Sequence, residues 1–259
     1  MNIADGNPLV EIDLLTRILN MKHEGQIVYN KDDAILEKVL SPFPHKKQPF
    51  STKSKDVLYK IDNKNIIGPS DDKLLNIDEL SIPGEHNLQN FLAASTCSHL
   101  MGISQNQIVK SMKEFKGVEH RLEYVRTINE ADYINDSKAT NIDSVIVAIN
   151  TYKQPIVLIL GGFNKGANFR LLLPHIKSSH VRDIVSYGDA GGQINTALGD
   201  AVRSVQVTDL SSAVKKAQLM AAPGDIVLLS PGCASYDEFS NFEERGNHFK
   251  SIIKNLAAS

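Results

Sequence analysis

From residue 118 onward the chain alternates short apolar runs with amphipathic stretches, and this alternation limits the possible folds more than any other feature. The run Ile156-Val-Leu-Ile-Leu160 is apolar at every position. A strand of that composition has to be buried on both faces, as in a parallel sheet covered by helices. Candidate strands are 124–128, 133–135, 156–160, 183–186, 204–207 and 226–229, and candidate helices are 141–151, 168–177, 190–198, 211–221 and 237–257. This order predicts a Rossmann-like α/β domain with a mostly parallel sheet and helices on both faces. Ligands of such sheets bind outside the carboxyl ends of the strands, so the loops leaving those ends are where chemistry is expected.

The first part of the chain has a different character, which divides it into expected domains 1–117 and 118–259. Gln26–Tyr29 reads as a strand closed by Asn30-Lys-Asp-Asp33, and the Lys- and Pro-rich stretch 41–55 as a solvated loop. Residues 57–61 and 66–67 flank the turn-rich Asp62-Asn-Lys-Asn65 in a hairpin pattern. A helix follows over 87–101. Ser104 opens another, with Gln107 completing a capping box. Ile108, Met112 and Phe115 share one face of that helix and are expected in the core, and Lys116-Gly117 ends it.

Composition excludes several classes of function. A net charge of −2 and a pI near 6.4 argue against a dedicated nucleic-acid binder. No apolar run is long enough for a membrane helix, and the acidic N-terminus does not read as a secretory signal. Two cysteines, Cys97 and Cys233, are too few for a disulfide framework, and a cytoplasmic location is expected. There is no metal-spaced Cys/His cluster, and no GxGxxG follows a strand as a dinucleotide-binding oxidoreductase would require.

Three strand-end loops are unusually polar. Asn135-Asp-Ser-Lys-Ala-Thr-Asn141 opens a helix and crowds a carboxylate, an ammonium and two hydroxyls together. Asp136 could hold a ribose hydroxyl or a metal and Lys138 could neutralise phosphate; the plainer alternative is a helix cap with a solvent-facing lysine. Gly161-Gly-Phe-Asn-Lys165-Gly166 lets the backbone approach a ligand, and Lys165 offers a charge suited to carboxylate or phosphate; otherwise it is a turn with an exposed lysine. The third loop, from Ser230 to Gly246, leads into a helix, and Ser235 with nearby backbone N–H groups could cradle an anion. Cys233 reads as a buried structural thiol rather than a nucleophile. Upstream, Asn87 and Asn90 place two amides on one helix face, suited to a purine edge or simply to a cap and a surface position. Arg121 lies at the break between the two halves, suited to bound phosphates or to an interface ion pair.

Taken in order, GEHNLQN (84–90), GVEHRLE (117–123), NDSKATN (135–141), GGFNKG (161–166) and SPGCASYDEFSNFEERG (230–246) resemble the Mur ligase family of cell-wall biosynthesis, in its D-glutamate-adding branch. The resemblance covers roughly residues 26 to 257 and implies a cytoplasmic, monomeric, ATP- and Mg2+-dependent ligase. In such an enzyme the carboxylate of UDP-N-acetylmuramoyl-L-alanine is activated as an acyl phosphate, the amine of D-glutamate attacks, and phosphate leaves an amide. The resemblance further implies nucleotide contacts at Asn87, Asn90, Arg121, Asp136, Lys138 and Thr140, with Arg121 and Lys138 at the reacting phosphates. D-Glutamate contacts fall at Thr140, Lys165, Ser235, Tyr236 and Phe242, those of Tyr236 and Phe242 largely through backbone groups.

Two departures from the family qualify these expectations. The family's phosphate loop of the G[TS]NGKST kind is absent, as is the domain that holds the UDP group, so residues 1–117 read as a remnant of the central ATP-binding domain. Arg17 falls where the family's modified lysine is expected, and no metal ligand is assigned. The chain alone is therefore expected to be inactive as a ligase. The alternative is a non-catalytic module that retains only D-glutamate or nucleotide contacts.

Overall fold

The computed structural model describes residues 18, 20–22, 24–82 and 84–256; Arg17 and the unmatched first dozen residues lie outside them. The chain forms two compact units that divide between Lys116 and Gly117.

In the first unit, strand β1 (Gln26–Asn30) is followed by helix α1 (Ala34–Leu40), capped by the Asp33 carboxylate, and then by β2 (Lys46–Phe50), which pairs parallel with β1. The stretch 41–55 is therefore not a solvated loop throughout. Its strand has exposed and half-buried residues, and Pro49 sits on it at a sheet edge, a position where a missing N–H is tolerated. Strands β3 (Lys60–Asp62), β4 (Asn65–Ile67) and β5 (Lys73–Asn76) make a separate antiparallel sheet. The hairpin turn falls at Asn63-Lys64, both at positive φ, as a tight two-residue turn demands. Helices α2 (Glu85–Leu100) and α3 (Gln105–Glu114) follow, α3 with the expected Ser104–Gln107 capping box. Tyr59, Ile66, Leu75, Phe91, Leu92, Ile108 and Met112 form the core. Phe115 does not join it. The helix stops at Glu114, so Phe115 becomes its cap, 41% exposed, with its ring edge against Phe91.

The second unit holds a six-stranded sheet. In chain order its elements are β6 (Glu123–Ile128), β7 (Ala131–Asn135), α4 (Ile142–Thr151), β8 (Ile156–Gly161), a 3-10 turn (Phe169–Leu172) running into α5 (Leu173–Ser178), β9 (Val181–Tyr187), α6 (Gly191–Leu198), β10 (Arg203–Gln206), α7 (Leu210–Met220), β11 (Ile226–Gly232) and α8 (Phe242–Asn255). The spatial order is β10-β9-β8-β11-β7-β6, all parallel except the edge strand β6. Period-two alternation sorts the residues of β8 between two cores. Ile156, Leu158 and Leu160 pack with α4, α5 and α6, while Val157 and Ile159 pack with α7 and α8. This is the two-sided burial that the apolar run requires.

Because β11 inserts between β7 and β8, three polar loops leave adjacent strands at the same edge. Leu229 pairs with Asn135 on one side and Ile159 on the other, and Gly232 faces Gly161. Helix α8 begins at Phe242, five residues later than expected from 237, because Asn241 rather than an earlier residue caps it, its side chain accepting from Glu244 N. The residues around Ser235 are consequently irregular loop, not a helix terminus.

Candidate functional site

The three loops are tied together by hydrogen bonds. Phe163 and Ala234 form an antiparallel bridge, with N–H donations of 2.9 and 3.1 Å in the two directions, joining the second loop to the third. Gly162, at φ +119°, makes this possible, since a side chain there would overlap the Ala234 carbonyl. The first loop is folded on itself: the buried Asn135 amide accepts from Ser137 N at 3.1 Å, and Asn141 caps α4.

Arg245, on α8, is fully buried and reaches both outer loops. Its Nε donates to Ser137 Oγ (2.9 Å) and Nη2 to the Ser137 carbonyl (2.7 Å), while Nη1 donates to the carbonyls of Cys233 (3.0 Å) and Ala234 (3.1 Å). Ser137 Oγ in turn donates to the Phe242 carbonyl at 2.8 Å.

Asp136 is buried, 7% exposed. Ser230 Oγ donates to its Oδ2 at 2.9 Å and Leu122 N to its Oδ1 at 3.3 Å. Burial pushes its carboxyl up to about 7, against the opposing pull of those two donors and of the Arg121 charge. Arg121 itself is exposed, between His120 (φ 63°) and Leu122 (φ 45°), two non-glycine residues in the left-handed region. The buried His120 ring lies 3.0 Å through Nδ1 from Asn135 Nδ2, and burial lowers its pKa below the usual imidazole value. Glu123 accepts from Asn135 Nδ2 (2.9 Å), His120 N (3.0 Å) and Lys250 Nζ (3.0 Å).

Lys138 and Thr140 are exposed on the first loop and Lys165 on the second. Each lysine rests on an aromatic ring of the third: Lys138 Nζ is 4.3 Å from the Phe242 centroid and Lys165 Nζ is 4.8 Å from that of Tyr236. Ser235, which immediately precedes Tyr236, is buried, and Tyr236 is 61% exposed. The structure thus groups Arg121, Asp136, Lys138, Thr140, Lys165, Ser235, Tyr236 and Phe242 on the strand-end loops of one unit. Asn87 and Asn90 belong to the other unit, on α2, where Asn90 is exposed and Asn87 half-buried. Cys233 is 2% exposed and burial pushes its thiol up to about 12, a structural thiol as expected. Among the described residues no group of three or more His, Cys, Asp or Glu could hold a metal ion. No described helix is long and apolar enough to cross a membrane.

Sequence reasoning missed His120, Ser137, Ser230 and Arg245 as parts of the site. All four lay inside the motifs, but their roles depend on contacts between loops distant in sequence.

The lysines and the buried carboxylate lie on loops at one end of this sheet, and residues 120–233 match the family model of the Mur ligase glutamate ligase domain. The chain's similarity is to the D-glutamate-adding members. The UDP-N-acetylmuramoylalanine–D-glutamate ligase of Clostridioides difficile is 41% identical over 92% of this chain and 54% of its own length, and that of Lactobacillus johnsonii 41% over 86% and 48%. The chain spans about half the length of these curated relatives. Among solved structures, the UDP-N-acetylmuramate–alanine ligase of Thermotoga maritima matches with a TM-score of 0.66 and 16% identity, covering 96% of this chain and 56% of that one. A murein peptide ligase from Psychrobacter arcticus matches at 0.62 and 14%, over 97% and 56%. These likenesses show the fold.

Proposed function

We propose that the chain is the D-glutamate-accepting portion of a UDP-N-acetylmuramoylalanine–D-glutamate ligase, with residues 1–117 as part of the central nucleotide-binding domain and 118–259 as the C-terminal domain. The observation that carries this is the pair of lysines held on aromatic rings, Lys138 on Phe242 and Lys165 on Tyr236, beside the buried Ser235. Lysine ammoniums at a strand-end loop suit an amino-acid carboxylate and a phosphate, the two anions this amide synthesis brings together.

In this proposal Lys165, Ser235 and the backbone at Tyr236 and Phe242 receive D-glutamate, with Thr140 at its edge. Lys138 and Arg121 face the phosphates of ATP, and Asp136 takes a nucleotide-side hydroxyl through the oxygens that Ser230 and Leu122 already orient. ATP supplies the phosphoryl group that activates the carboxylate of UDP-N-acetylmuramoyl-L-alanine. The D-glutamate amine then displaces phosphate, and charge neutralisation by Lys138 and Arg121 favours the step. Among the described residues no cluster of three or more His, Cys, Asp or Glu is present to hold Mg2+ by protein groups alone.

The test replaces the matching half of the C. difficile ligase with this chain and measures phosphate release from ATP with UDP-N-acetylmuramoyl-L-alanine. Release that depends on D-glutamate and not on L-glutamate supports the proposal. A folded chimera that turns over another amino acid instead overturns it.

A further inference from the structure

Arg245 is a charge buried without a carboxylate: its guanidinium is fully shielded from solvent, and among the described residues none of the ion pairs involves it. A buried charge is costly unless it is fully hydrogen-bonded. Here the compensation comes from four acceptors, Ser137 Oγ, Ser137 O, Cys233 O and Ala234 O, at 2.7–3.1 Å. None of them lies in the core of the sheet. Ser137 sits between Asp136 and Lys138, and Ala234 immediately precedes Ser235. The third loop neighbour is Gly162, where a Cβ would stand 3.1 Å from Nη1. The Ser137 hydroxyl, which takes the Nε donation, donates its own proton to the Phe242 carbonyl.

We infer that Arg245 is a positioning residue for the glutamate subsite: one guanidinium fork fixes the spacing between the loop carrying Lys138 and the loop carrying Ser235 and Tyr236. The inference rests on the proposed function for the identity of the ligand, but not for the geometry. A planar fork with fixed donor directions can hold two loops at a set separation; a lysine in its place, with one mobile ammonium, would keep the charge and lose the spacing. Ser137 is the hinge of the arrangement, because its carbonyl and hydroxyl take two of the four bonds.

The test uses the full chain with R245K and S137A, reading D-glutamate affinity by calorimetry, thermal melting, and the amide spectrum without ligand. R245K is expected to weaken D-glutamate by about tenfold, the scale of one charge-assisted hydrogen bond, and S137A by a few-fold, at temperatures where both remain folded. In the ligand-free spectrum S137A is expected to move the amides of Lys138, Ala234 and Ser235 together. A folded R245K or S137A with wild-type affinity overturns the inference. If R245K does not fold, S137A decides it alone. If the wild-type chain binds no D-glutamate, the proposed function falls by itself. The spectrum then decides the inference: S137A shifts confined to residues 136–138 overturn it, and shifts reaching Ala234 and Ser235 sustain it.

Discussion

The ammonium of Lys138 lies 4.3 Å from the centroid of the Phe242 ring, so a cation on one strand-end loop is seated on an aromatic from another. Lys165 and Tyr236 repeat the arrangement at 4.8 Å. In both pairs the ring limits where a long, flexible side chain can place its charge, which lowers the entropy lost when an anion arrives. Tyr236 is largely exposed, so its ring contributes little to folding and the contact can be tested cleanly. Y236F is expected to leave D-glutamate affinity unchanged, whereas Y236L weakens it about two- to five-fold, the worth of an exposed cation–π contact, with an unchanged melting temperature. Calorimetry on the two variants checks both statements.

Asp136 makes the stability of the second unit depend on pH. Its folded pKa, near 7, is above the ordinary carboxylate value, so between about pH 4 and 7 the folded state holds a proton that the unfolded state has lost. Its contribution is therefore fully present below the unfolded value and declines as pH rises towards 7, at most by about 1.4 kcal/mol per pH unit. D136N is expected to flatten that part of the profile. Denaturant titrations of wild type and D136N at pH 5, 6, 7 and 8 measure the difference, and parallel profiles would refute the assignment.

Two helical glycines should respond oppositely to alanine. A Cβ at Gly246 would overlap His120 Nδ1, a ring held in place by Asn135. G246A is expected to destabilise the chain by about 1–3 kcal/mol despite alanine's better helix propensity. At Gly192 the nearest atoms that an added methyl would meet are those of the Gln206 side chain, at 3.8 Å, so G192A is expected to be neutral or stabilising by up to about 1 kcal/mol. Chemical denaturation distinguishes them.

The cysteines differ in the same way. Cys97 is exposed and Cys233 buried with its thiol pushed up to about 12. Iodoacetamide at pH 8 is expected to alkylate Cys97 and spare Cys233 until the chain unfolds, as peptide mass spectrometry would show.

The α/β pattern was legible because each strand of the second unit carries its burial in its own composition. Ile156–Gly161 alternates between two cores residue by residue, and nothing distant is needed to read it. The first unit was less legible. Lys46–Phe50 has too many lysines to look like a strand, and only its parallel pairing with Gln26–Asn30 makes it one. At the site, Asp136, Lys138, Lys165 and Ser235 stood out as polar residues at strand ends. Arg245 did not, because an arginine in an amphipathic helix reads as a surface residue; its burial follows from four acceptors on loops some ten and a hundred residues away in sequence.

The central claim, a D-glutamate subsite on the strand-end loops of residues 118–259, is tested most directly by titrating the isotope-labelled chain with D-glutamate and with L-glutamate. Saturable shifts are expected for D-glutamate alone, centred on Lys165, Ser235 and Tyr236 and lost in K165A. Equal responses to the two enantiomers, or D-glutamate shifts that leave those three residues unmoved, would contradict it.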